Sequence, residues 1–159
     1  MKTLCLYYSR TDLTKGIMEE MASLLDADLL EYTDGIDRSG VKGYIKSCID
    51  SFRKPPMVFV SGGEPDWDSY DTVVVGMPVW VEEPCVVGRM FLARYSCRFS
   101  GKLYLVVTHM SKADYDRSIQ RTYRFCTRKP AAHLSVQTKD HDPGEEIRAF
   151  AKMIREQGE

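Results

Sequence analysis

Three hydroxyl residues, Ser9, Thr11 and Thr14, follow directly on an apolar run rich in strand formers, Leu4-Cys5-Leu6-Tyr7-Tyr8, and lead into an apolar pattern of helical spacing. A strand that stops at hydroxyls and turns into a helix makes a good anion site. The first-turn N–H groups have no intrahelical partners, the helix dipole is positive there, and the hydroxyls add donors. The stretch Thr3–Lys15 therefore reads as a phosphate cradle.

Two further stretches carry residues that could do chemistry. Met77 to Glu83 places Trp80 just beyond Pro78, where an indole exposed in a cleft could stack on a planar heterocycle; the alternative is a rim residue packed on the following helix. Thr108-His109-Met110-Ser111-Lys112 offers an imidazole as proton donor and an ammonium for an anion. A lone loop histidine is more often a surface hydrogen-bonding residue. Other chemistries fail on spacing. A phosphoacceptor domain needs paired carboxylates after the first strand, where this chain has Ser9-Arg10-Thr11. A tyrosine-phosphatase loop needs a cysteine in the loop itself, but Cys5 lies inside the strand. No G-x-G-x-x-G or Walker motif is present. Cys85, near a helix start, reads as a packing residue.

Elements of a regular kind must position these stretches. Ile17, Met18, Met21, Leu24 and Leu25 repeat at helical spacing, and Asp28–Tyr32 fits a second strand. Val41, Tyr44, Ile45, Cys48, Ile49 and Phe52 define a second helix, stopped by Pro55-Pro56. Ser61 to Asp68 is polar and glycine-containing, a surface loop. Thr72-Val73-Val74-Val75-Gly76 is β-branched and apolar on both faces, as in a covered parallel strand. A third helix follows over Pro84–Tyr95, a buried strand over Leu103–Val107, a helix from Asp114 to about Thr127, a strand over Ala131–Val136, and a last helix over Pro143–Gln157.

Five strand–helix units without repeat or linker predict one domain over residues 1–159, an α/β fold with a five-stranded parallel sheet and helices on both faces. Ligands in such sheets bind outside the C-terminal strand ends, at the topological switch point. That singles out Ser9–Thr14, Met77–Glu83 and His109–Ala113; the other strand ends look bland. Net charge is −1 and no basic stripe appears, which argues against nucleic acid. The apolar runs are too short to span a membrane, and no membrane partner is expected. Five scattered cysteines without C-x-x-C spacing argue against a disulfide framework and a zinc site, and for a reducing cytoplasm.

The sequence resembles the flavodoxin family, above all its short flavodoxin-like members. The resemblance is carried by Leu6 to Lys15 (Leu-Tyr-Tyr-Ser-Arg-Thr-Asp-Leu-Thr-Lys) and Tyr70 to Trp80 (Tyr-Asp-Thr-Val-Val-Val-Gly-Met-Pro-Val-Trp). Gly43 to Pro55 and Gly101-Lys102 match in order between and after them. The resemblance implies a three-layer flavodoxin-like fold with strand order 2-1-3-4-5, and FMN as cofactor. It also implies electron transfer or a small flavin-dependent oxidoreductase activity, with a redox partner protein or small-molecule acceptor. By the same resemblance, Ser9, Arg10, Thr11, Asp12, Leu13 and Thr14 form the phosphate loop. Pro78, Val79 and Trp80, with Val81 and Glu82 after them, lie against the ring. His109, Met110, Ser111 and Lys112 close on its other side.

Departures from the family pattern bear on that expectation. Asp12 stands where glycine is usual. A carboxylate ~5 Å from a phosphate charge costs about 3 kcal/mol at an effective dielectric near 20, or about a hundredfold in affinity. Asp12 must point to solvent, weaken the site, or cap the helix and occupy the N–H groups itself. Val81, in a loop that is usually small or glycine-containing, resists positive φ. Glu82 and Glu83 either disfavour an anionic reduced flavin or simply solvate a helix N-terminus. Glu64, Asp66, Asp68, Glu82 and Glu83 could form an acidic rim for a redox partner. The alternative function is a flavodoxin-fold binding or interaction module with a weakened or lost flavin site.

Overall fold

The protein is described by a computed structural model covering residues 1–53 and 57–158. Strand β1 (Thr3–Tyr7) is buried along its whole length and leads through Ser9–Asp12 into α1 (Leu13–Leu25). Ile17, Met18, Met21 and Leu25 give that helix one apolar face. The chain continues with β2 (Asp28–Thr33), α2 (Gly40–Asp50), a two-residue β3 (Phe59–Val60) and a 3-10 turn at Trp67–Ser69. Strand β4 (Thr72–Trp80) is the longest strand and sits at the sheet's centre. It is followed by β5 (Glu83–Pro84), α3 (Val86–Tyr95), β6 (Lys102–His109), α4 (Asp116–Thr122), β7 (Ala132–Gln137) and α5 (Gly144–Gly158).

The sheet has seven strands in the order β3-β2-β1-β4-β6-β7, with β5 paired to β4. This corrects the expected five strands in the order 2-1-3-4-5. The difference lies in two antiparallel additions of two residues each. Phe59–Val60 lies along the outer edge of β2, and Glu83–Pro84 folds back on the end of β4. Neither is long enough to show a period in sequence. Pairing is parallel between β1 and β2, β1 and β4, β4 and β6, and β6 and β7.

Alternation along the strands divides the core into two layers. Leu4, Leu6, Val73, Val75, Leu103 and Leu105 face the side covered by α3 and α4. Cys5, Val74, Tyr104 and Val106 face α1 and α5, where Met18, Met21, Ile147 and Ile154 meet them. The loop over Ser61–Asp68 is not wholly a surface segment. Its end sends Trp67 into the first layer against Tyr95 and Phe99.

Helix α2 behaves unlike the others. Its buried positions are Gly43 and Ser47, while Val41, Tyr44, Ile45 and Ile49, with Phe52 just beyond, face solvent. The apolar periodicity finds the helix but not the side on which it rests. It rests on polar groups. Arg38 is buried and its guanidinium donates to Asp34 (2.5 Å) and Asp50 (2.7 Å), fastening the helix to the end of β2. The proposed stop at Pro55-Pro56 lies outside the described residues; the helix ends at Asp50. The expected third helix starts later, at Val86, because Glu83 and Pro84 are strand. The expected fourth helix closes early, at Thr122, and passes into a 3-10 turn over Tyr123–Phe125.

Candidate functional site

The C-terminal ends of β1, β4 and β6 open into one cleft of about 250 Å³. Its walls take Arg10, Thr11, Leu13 and Thr14 from the first loop, Pro78, Val79, Trp80, Val81 and Glu82 from the second, and His109, Met110 and Ser111 from the third. Ser9, Asp12 and Lys112, also expected here, do not line it. Sequence reasoning missed Tyr44, Ser47 and Cys48 of α2, together with Thr108, Tyr115 and Thr138. Ser47, a polar residue within an apolar helix, was a usable signal. Thr138 follows β7, a strand end that looked bland.

The first loop leaves its helix terminus open. Asp12 is the N-cap of α1 with a left-handed backbone (φ 62°), and its side chain makes no capping hydrogen bond. The first intrahelical bond runs from the Gly16 N–H to the Asp12 carbonyl, so the N–H groups of Leu13, Thr14 and Lys15 precede it. Asp12 is exposed and does not line the cleft; with Gly16, Ile17 and Pro143 it borders a neighbouring pocket that shares Leu13 and Thr138 with the cleft. Capping by Asp12 is thereby corrected, since left-handed geometry at the cap turns the side chain away from the first turn. Thr14 Oγ1 is buried against Thr108 Oγ1 at 2.7 Å, tying the loop to β6. Ser9 Oγ is buried with no hydrogen-bond partner.

The second loop is a two-residue hairpin turn between β4 and β5. Val81 (φ 50°) and Glu82 (φ 64°) are both left-handed, the conformation that tight hairpins require at both central positions. Sequence reasoning held a β-branched residue unfit for positive φ; the pairing of Trp80 with Glu83 imposes it nonetheless. Trp80 is corrected too. Its ring is buried, with its edge to Tyr8 (5.6 Å between centroids) and the Arg38 guanidinium 5.0 Å from its centroid. It lines the cleft from within the core and is not exposed there. Burial pushes the Tyr8 phenol up, and pushes the Cys85 thiol up to about 12. Cys85 accepts a hydrogen bond from the Gly88 N–H as the cap of α3, a packing and capping role. Burial works against the Arg38 charge, but its bonds to Asp34 and Asp50 outweigh that and hold its pKa above the ordinary value.

The third loop is pinned at several points. His109 Nδ1 donates to the Ser111 carbonyl (2.7 Å), which leaves Nε2 to accept from Ser135 Oγ (3.0 Å) in the neutral ring. The ring also lies 4.6 Å from that of Tyr115, and the Thr138 N–H donates to the His109 carbonyl. Both ring nitrogens are engaged, so His109 holds the loop and has no free proton to offer. The expected acidic rim does not form. Glu64 pairs with Arg98 and Ser69 accepts from Lys2, next to the N-terminal ends of β6 and β1. That puts Glu64, Asp66 and Asp68 at the end of the sheet opposite the cleft. Glu83 is taken by Arg121 of α4 at 2.6 Å.

Comparison with solved structures places this architecture. A flavoprotein from Lactobacillus acidophilus, solved in complex with FMN, is similar over 91% of this chain and 95% of its own, at 21% identity and a TM-score of 0.69. A candidate flavoprotein from Bacteroides eggerthii is similar over 97% and 98%, at 17% identity and a TM-score of 0.74. The chain has a flavodoxin-like fold. Flavodoxin 2 from Bacillus cereus shares it over 99% of both chains, at 13% identity and a TM-score of 0.58. No protein-family model matches the chain, and no curated protein matches it by sequence. Within this flavodoxin-like fold the cleft occupies the switch point, where β1 and β4 are neighbours and their connections leave to opposite faces. Among the described residues no cluster of metal-ligating side chains occurs, and no helix is long and apolar enough to cross a membrane.

Proposed function

We propose that this chain binds FMN in the cleft and acts in electron transfer or as a small flavin-dependent oxidoreductase. The observation that carries the proposal is the open helix terminus at the wall of the cleft. The Leu13–Lys15 N–H groups precede the first intrahelical bond, and Leu13 and Thr14 line the cleft. A phosphate dianion would satisfy those N–H groups, with Thr11 as a further donor at the wall of the cleft. The ring would take the apolar space between the Pro78–Glu82 turn and the His109–Ser111 loop, with Tyr44 along one side. The FMN in the name of the Lactobacillus relative supports the choice of ligand.

FMN, when bound, supplies one- and two-electron redox chemistry. The chain's own residues hold and shield it. The Thr14–Thr108 bond and the His109–Ser135 bond fix the two loops on β6 and β7. Arg10, whose guanidinium lies 5.5 Å from the Tyr44 ring centroid, is the cation at the wall. A redox partner protein or a small acceptor would then exchange electrons at the cleft mouth.

Titration of FMN fluorescence with purified protein tests the proposal. Quenching with micromolar or tighter affinity is expected, and protein that ignores excess FMN would sink it. Asp12→Gly should tighten that affinity by no more than about fourfold. A solvated charge ~10 Å from a phosphate dianion acts through a dielectric near that of water and is worth about 0.8 kcal/mol. A hundredfold tightening would mean the carboxylate faces the phosphate after all.

A further inference from the structure

Of the twelve large hydrophobic side chains exposed among the described residues, eight lie between positions 36 and 59. Val41 (77%), Tyr44, Ile45 and Ile49 stand on α2, and Phe52 (80%) follows it; Ile36, Met57 and Phe59 flank the helix in sequence. At ~180 Å² per fully exposed side chain the eight amount to roughly 800 Å² of apolar surface, of which α2 and Phe52 supply about 550 Å². The largest apolar patch on an ordinary monomer is about 300–600 Å². One side of a standard protein–protein interface is about 800 Å².

We propose that this face is covered by α2 of a second copy of the chain, in a two-fold dimer that completes one wall of the cleft. The spacing favours a helix as occupant. Val41, Ile45, Cys48 and Phe52 follow one another at intervals of four, three and four, the seam by which helix packs on helix. The seam is also self-complementary when the two helices run antiparallel about the axis. Val41 then meets Phe52 of the second copy, and Ile45 meets its Cys48. In that register the positions flanking the seam put Lys42 beside Ile49 of the second copy and Tyr44 beside its Ser51, so no like charges meet along it. Tyr44 and Cys48 belong both to this face and to the cleft, so the second copy would border the ligand site.

Sedimentation of the full chain, without FMN, tests the proposal independently of the flavin reading. A species of twice the 18.2-kDa chain mass is expected at tens of micromolar. The double variant Ile45→Glu/Phe52→Glu should raise the dimer dissociation constant at least a hundredfold. Both side chains are exposed in the monomer, so the far-UV circular dichroism should be unchanged. A wild-type monomer would overturn the proposal, as would a dimer that survives the double variant. A monomer that pellets with phosphatidylglycerol vesicles would also overturn it, assigning the face to a lipid surface.

Discussion

Three residues in the loops of the candidate site, Asp12, Val81 and Glu82, take a left-handed backbone, and Asp12 and Val81 do so for different reasons. Asp12 takes a left-handed cap, which Asp tolerates, and it does not line the cleft. Val81 takes the same region inside a hairpin turn, where a β-branched side chain is strained. Such strain costs about 1–3 kcal/mol, while glycine at the same place gives back about 0.5–1 kcal/mol through the unfolded chain. Val81→Gly should therefore stabilise the protein by about 1 kcal/mol, seen as a higher thermal midpoint. A lower midpoint would show that Val81 contributes packing that the strain argument omits. Neither conformation could be read from the residue type; the motif only marked the positions as unusual.

At the scale of elements, α2 sets one wall of the cleft through a close contact. A Cβ on Gly43 would lie 1.9 Å from the Arg38 carbonyl carbon and oxygen, and those are backbone atoms that cannot swing aside. Alanine would raise helix propensity by about 1 kcal/mol, yet overpacking at such a contact costs about 3 kcal/mol. Gly43→Ala should lose about 2 kcal/mol in urea unfolding and weaken FMN binding, since Tyr44, Ser47 and Cys48 move with the helix. Unchanged stability would mean that α2 rides freely over Arg38. The sequence showed the apolar repeat of α2 but not its direction. Periodicity reports that a face exists; which face meets the sheet was decided by Gly43, Ser47 and the Arg38–Asp34–Asp50 cluster. For α1 and α5 the apolar face and the buried face coincide, because nothing polar competes for the contact.

For the whole molecule, the two core layers each bury a thiol on or near the sheet. Burial pushes Cys5 and Cys85 from the ordinary 9.0 up to about 12. A raised thiol pKa means that the folded state keeps a proton which the unfolded chain releases. Stability is then full below pH 9 and declines as pH rises toward 12, by roughly 1.4 kcal/mol per pH unit for each thiol. Urea unfolding at stepwise pH should show that decline, and Cys5→Ala/Cys85→Ala should flatten its slope even where it lowers the plateau. An alkaline limb of equal slope in the double variant would assign the decline to the buried tyrosines instead.

The sequence by itself determined the parallel α/β architecture and the three loops that border the cleft. Those properties follow from local signals: continuous β-branched runs, helical apolar spacing, and hydroxyls or proline where strands end. Short-range physics suffices for them because each is a preference of a few neighbouring residues. Only the tertiary structure decided what depends on contacts between distant segments. Phe59–Val60 and Glu83–Pro84 become strands because an edge or a turn offers them partners. Trp80 is buried because Arg38, far off in sequence, closes over its ring. Asp12 leaves the terminus of α1 uncapped because the chain enters the helix through a left-handed turn. The apolar face of α2 is left to solvent because a buried ion pair and a glycine contact hold the helix by its other side.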